Sequence, residues 1–488
     1  MLKLLIIKEL KTLILGPKFA GTFAVCSVLI LLSVFAGIQE YRNAVAQYEA
    51  ATQLVDQEMR ERSSWMGFSS RTFRQPDPMQ IFVSGVNNDI GRLSAIDSFQ
   101  DVKLRNSIYS DDPIFAFFRF IDFTFIGQIV LSLFAILFTY DAINGEREGG
   151  TLQLTFSNAV PRVKYILGKF IGSWLGMVIP LLLPVLLGIL LIVIYNVPFT
   201  ATHWAKLFAF LGVTLLYFTC FIAGGLLVSA LTRSSAVSFL FLLVIWVTFV
   251  LIIPRTSVML AGQVVNMPTV AEIEGLQDGY EKNRWDKHGD ELEGRWRERN
   301  AQMAGMSAEE REAYQDEHLL EWMEQDDQDR RAMQQDIMEN SRKLSEDLRN
   351  RKAELERLAF TLSRFSPASS YQLAAMSLAG TGIEIKTSYE DAMRNYRTAF
   401  VDYIEKKRKE SGGVGGIRIT MDTETGFKLS TDRNQGTLDL NDLPRFAPPQ
   451  HNFAEALAPT ATDFGLLAFY TIAVFAGAFV AFLRYDVR

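Results

Sequence analysis

The chain has 488 residues, 49% of them apolar, and 49 lysines and arginines against 55 aspartates and glutamates, for a net charge of −6. That balance offers no basic surface for nucleic acid, two cysteines make no disulfide framework, and His203, His288, His318 and His451 are scattered without metal-ligand spacing, which suits ordinary surface histidines. The apolar residues gather in six runs, 19–40, 123–140, 168–195, 207–230, 236–254 and 464–483, and about 20 such residues cross a bilayer as a helix, so six runs exclude a soluble chain.

MLKLLIIKELKTLILGPKF opens the sequence. Leu2, Leu5, Ile6, Leu10, Leu13 and Leu15 share a broad apolar face, with Lys3, Lys8, Glu9 and Lys11 directed to water. Gly16-Pro17 breaks the helix, so residues 1–18 read as an interfacial amphipathic helix, or else as an overlong start to the first span. Span 1 covers 19–40, with no charge between Lys18 and Glu40. It runs on into QEYRNAVAQYEAATQLVDQEMRER without a small-residue cleavage site, and 41–118 is expected to be a helical segment outside the membrane.

Span 2 is 119–140, edged by Asp122 and Asp141. A short acidic element, 141–167, begins YDAINGEREGG and leads to spans 3–5 within 168–254, where Pro180 and Pro184 are expected to kink span 3. Residues 255–462 are too long for an idle connection. Their first half is highly charged, and Leu344, Leu348, Leu355 and Leu358 recur around Arg351 with helical spacing, a stripe that 41–66 is suited to cover. SYQLAAMSLAGTG reads as a helix close to the membrane. Tyr389, Met393, Tyr396, Phe400 and Tyr403 mark one side of another helix. SGGVGG is a flexible join, and IRITMDTETGFKLSTDRNQGTLDL alternates like a small strand pair. Span 6 is 463–484. The fold class is an all-α polytopic membrane protein: six spans, an N-terminal amphipathic helix, and a mainly helical extracytoplasmic domain containing that strand pair.

With the N-terminus in the cytoplasm, the cytoplasmic flanks hold eleven basic residues (Lys3, Lys8, Lys11, Lys18, Arg147, Arg162, Lys164, Lys169, Arg233, Arg484 and Arg488) and five acidic ones, leaving 38 basic and 50 acidic outside. The positive-inside rule therefore puts both termini in the cytoplasm. Span interiors are nearly free of charge, unlike those of ion-conducting proteins. YILGKF at 165–170 is no phosphate loop, so ATP chemistry is not carried here. Glu146 and Glu148 either meet a basic residue of a soluble partner or lie in a solvated turn whose charges keep it out of lipid.

NGEREGGTLQLTFSNAVPRVKYILGKFIG resembles the cytoplasmic signature of ABC-2 type transporter permeases. Glu146-Arg147-Glu148-Gly150-Thr151-Leu152, then Pro161-Arg162 and Gly168-Lys169, match it, and the start containing Lys8-Glu9-Leu10 looks like the family's elbow helix. FSPASSYQLAAMSLAGTG resembles the subgroup with a large extracytoplasmic insertion between spans five and six, and this insertion departs from short drug or polysaccharide exporters.

The resemblance implies a bacterial inner-membrane subunit without its own chemistry or cofactor. ATP and Mg belong to a cytoplasmic ABC ATPase dimer, and a second copy or a related permease completes the complex. It implies ATPase-coupling roles for Glu146, Arg147, Glu148, Gly149, Gly150, Thr151 and Arg162. Transport or extraction of a substrate is the leading function. The alternatives are a mechanotransmitter acting on an envelope partner, and a membrane-anchored scaffold or receptor.

Overall fold

In the computed structural model, residues 1–65, 67–97, 102–107, 121–158, 160–410, 417–422, 426–431, 438–449 and 452–484 are described. The chain divides into two compact units, one of 1–254 with 363–488 and one of 255–362. The SGGVGG join, His451 and the last four residues lie outside the described residues.

In the first unit, α1 (Leu2–Ile14) ends at Gly16, and Pro17 opens α2 (Pro17–Arg60), where a missing N–H costs nothing. At 44 residues α2 is about 66 Å long, twice the hydrocarbon thickness, so its second half projects beyond the membrane. Span 2, α3, runs from Phe123–Phe125 through a π-helical segment, Ile126–Leu131, into Ser132–Thr139. Two short helices follow, α4 (Asn144–Glu148) and α5 (Thr151–Ser157). Span 3, α6 (Arg162–Ile194), passes Pro180 and Pro184 as one helix. Span 4 is α7 (Ala201–Leu231), with His203 in the capping box at its start. Span 5, α8, runs through Ser235–Trp246, a second π segment at Val247–Ile252, and Ile253–Val264. These spans and the last helix are the six, among the described residues, that are long and apolar enough to cross a membrane. Cys26 and Cys220 are free and buried within them.

Both π segments face polar donors. Tyr217 Oη donates to the Gln128 carbonyl at 3.0 Å, and Trp246 Nε1 donates to Ser132 Oγ at 2.8 Å. The Ser366 hydroxyl donates to the Phe249 carbonyl and also caps α11 (Pro367–Ala379). This helix, expected only to lie near the membrane, is packed inside the unit against spans 4 and 6. Its alanines make that approach possible, and Tyr371 stacks on Tyr217 at 4.6 Å. Gly127 faces the Tyr371 ring with no room for a Cβ.

Away from α1, the end of the bundle carries β1 (Ser70–Phe73) paired antiparallel with β2 (Leu93–Ile96), from Ser70 opposite Ile96 to Phe73 opposite Leu93. This pair was not expected from sequence, since four-residue strands carry too little alternation. Helix α12 (Glu384–Glu410) packs over it: Tyr389, Met393 and Phe400 are buried with Phe68 and Ile96, and Tyr396 and Tyr403 join them. The expected strand pair is present as β3 (Ile417–Asp422) and β4 (Gly426–Thr431), with Ile417 opposite Thr431. Helix α13 (Phe453–Leu483) is span 6.

The second unit is an antiparallel helical hairpin of α9 (Val270–Gln302) and α10, which runs over Ala308–Ser363. Gly305, at φ +101°, turns its tip. Its seam is largely ionic: Arg299 and Arg295 meet Asp326, Arg295 also meets Asp329, and Arg284 meets Asp336. Gln277 reaches Ser341 and Ser345, and Arg351 reaches the Asn266 carbonyl. Beside the leucine stripe, Ser341, Ser345 and Arg351 are thus bonded to α9 and the segment before it. His288, expected at the surface, is buried beside Trp285.

Candidate functional site

The acidic element folds as a helix–turn–helix. Its turn is Gly149-Gly150, and Gly150 sits at φ +69°, where any side chain would be strained. The Thr151 hydroxyl returns to the Glu146 carbonyl at 3.2 Å. Leu152 is fully buried and anchors α5 to a small apolar core with Ile143, Tyr165, Ile166, Leu226 and Phe482. The opposite face of α5 is open: Gln153, Leu154, Ser157 and Asn158 are exposed, Leu154 at 66%.

Glu146 turns away from solvent. Its Oε1 accepts from Lys8 Nζ at 2.7 Å and lies 3.0 Å from Lys169 Nζ, while Tyr165 Oη donates to Oε2 at 2.6 Å. Lys169 also meets Glu9 Oε2 at 2.7 Å. Two cations and two carboxylates therefore close a neutral node joining α1, α4 and span 3. Burial pushes the Glu9 carboxyl up from the usual carboxylate range, against the pull of Lys169. Glu9, expected to face water, is 7% exposed.

The node depends on a close approach of α1 to span 3. A Cβ at Gly168 would stand 2.8 Å from Leu5 Cβ, and one at Gly172 would stand 2.6 Å from Glu9 Cβ. Gly176 faces Leu13 in the same row. Glycines at every fourth position open one groove along span 3, the device by which membrane helices pack backbone to backbone. Leu10 is half-buried and Lys8 keeps an exposed flank.

Glu148 stands on a different helix end. Its carboxylate accepts from the Ser235 amide at 2.9 Å and from the Ser235 hydroxyl at 2.8 Å, capping the first turn of span 5 with the charge the helix dipole favours. Asn144 bonds Ser229, Thr232 and Ser235, and the Ser229 hydroxyl accepts from the Ile143 amide at 3.0 Å. Arg147 is half-buried on α4, and Arg162 donates to the Leu483 carbonyl at 2.5 Å, where the sixth span ends. Lys18 reaches Tyr140 and Asp141 at the start of the loop.

The two glutamates are thus internal ties, one to α1 and span 3, the other to span 5. Sequence reasoning missed Lys169 as a partner of Glu146, and missed Asn144, Tyr165, Ser229 and Ser235. The spacing Gly168, Gly172, Gly176 was a readable sign of the first of these. Among the described residues no group of His, Cys, Asp or Glu is arranged to hold a metal ion.

A family model described as ABC-2 family transporter protein matches residues 4–487. The chain belongs to the ABC-2 transporter family. No curated protein matches it. The permease is a polytopic, non-catalytic membrane component, with a large insertion between its fifth and sixth spans. In the permease, α4 is bonded to α1 and span 3 through Glu146, to span 4 through Asn144, and to span 5 through Glu148.

Proposed function

We propose that this permease is the membrane-spanning subunit of an ABC transporter, driven by separate cytoplasmic ATPase subunits and moving or extracting a substrate. The observation that carries the reading is the two-sided character of residues 141–158: one side is bonded to α1 and spans 3–5, and the other exposes Gln153, Leu154, Ser157 and Asn158. The α1 end of the bundle is assigned to the cytoplasm because the basic residues concentrate there, and the hairpin insertion then lies outside. Functional copies work in pairs, with a second copy or a related permease.

Glu146 and Glu148 act in this reading by holding the element to the spans, and Leu154 offers the apolar contact to the ATPase. Replacing Glu146 and Glu148 together by lysine should abolish stimulation of ATP turnover while insertion into the membrane persists. Undiminished stimulation would sink the assignment. A second reading, force transmission to an envelope partner, is favoured by α10, whose 56 residues extend about 84 Å.

A further inference from the structure

Asp463 lies ten residues into span 6 and is 1% exposed, a carboxylate buried within a helix otherwise suited to lipid. Ionisable groups in such positions need a partner and commonly serve function. Its partner is Arg364, the first residue after α10: Nε donates to Oδ1 at 2.7 Å and Nη2 to Oδ2 at 3.0 Å. This two-pronged pair fixes orientation as well as distance. Tyr470, two turns further along span 6, donates its hydroxyl to the Arg364 carbonyl at 2.7 Å. Ser366, two residues on, is held by the π segment of span 5. The point where the long insertion returns to the membrane unit is therefore gripped by spans 5 and 6.

The other end of span 6 is gripped by the α5 region. Phe482 stacks on Tyr165 at 5.1 Å and 15°, Tyr165 bonds Glu146, and the Leu483 carbonyl accepts from Arg162. Between Asp463 and Phe482 the helix contains no proline and spans about 29 Å; Pro459 lies on the far side of Asp463.

We propose that span 6 is the link that carries displacement of the coupling element to the root of the insertion, and that Arg364 and Asp463 are its positioning residues. The proposal rests on the coupling role given to 141–158. A bidentate pair on a buried carboxylate is suited to this because it transmits rotation of the helix, where a single contact would swivel. The neutral network at one end and the Arg364 pair at the other make the helix a member with two fixed joints.

The test uses the full chain in lipid nanodiscs and amide hydrogen exchange over 366–380. Tyr165→Ala, which removes the joint at the α5 end, is expected to speed exchange there about fivefold, at the low end of ordinary site-to-site coupling. In an Asp463→Asn background the same substitution should change nothing further. Arg364→Lys, which keeps the charge but loses the fork, should weaken the response, and exchanging the pair (Arg364→Asp with Asp463→Arg) should restore it. Exchange that ignores Tyr165→Ala, or responds equally with and without Asp463, would overturn the proposal. A purely structural role predicts additive effects, as for any sites this far apart. If the link is found but nucleotide leaves 366–380 unchanged in the assembled transporter, the functional reading fails and the span 6 link stands.

Discussion

The node around Lys169 and the ion pairs along the outer face of α10 both set cations against carboxylates, to opposite effect. In the node, Lys169 and Glu9 have side chains 8% and 9% exposed, glycines bring the backbones together, and every charge is matched. On α10, Arg330 and Arg331 meet Asp327 within one turn of the same helix, both arginines more than half exposed, and water stands ready to replace either partner. Buried charge cannot be left alone, so the node is all-or-none; the exposed pairs on α10 can be lost one at a time. The difference lies in how far each pair is removed from water.

The contrast breaks most visibly at Lys169. Lys169→Met leaves the buried Glu9 without its cation, Lys8 remaining on Glu146 alone, and is expected to cost about 3–5 kcal/mol, read by unfolding in mixed micelles. Adding Glu9→Gln and Glu146→Gln should recover most of that loss; a loss below ~1 kcal/mol for the single variant would show the site to be wet. Next in size, Gly172→Leu forces a side chain into Glu9 and should cost about 1–3 kcal/mol while exposing Lys8 and Lys11 to trypsin. Glu148→Ala should leave the global transition nearly in place but speed amide exchange in the first turn of span 5. Smallest is Arg331→Ala in the hairpin, at about 0.3–0.5 kcal/mol and erased by salt, with helicity unchanged by circular dichroism.

The spans were legible because length and apolarity are local properties, and the Gly-Pro break marked the start of α2. The strand pair at 417–431 was legible from alternation, and the side of α12 that carries Met393 and Phe400 from helical spacing. Less legible was anything set by distant pairing. Glu146 and Lys169 are 23 positions apart, and nothing in YDAINGEREGG says which way its carboxylates turn. Asp463 sat at the edge of its apolar run and read as a boundary residue, yet the helix continues ten residues beyond it and buries it against Arg364. His288, read as a surface residue, is buried beside Trp285 of its own helix.

The central claim is that α5 is the surface on which the ATPase pushes. A photo-crosslinking residue in place of Leu154, introduced in the native membrane, tests it most directly, with Leu320 on the hairpin as the control. The account predicts an adduct between position 154 and a P-loop ATPase subunit, and none from position 320. Adducts from position 154 to lipid or to the permease alone, in membranes where the ATPase is present and active, would contradict it.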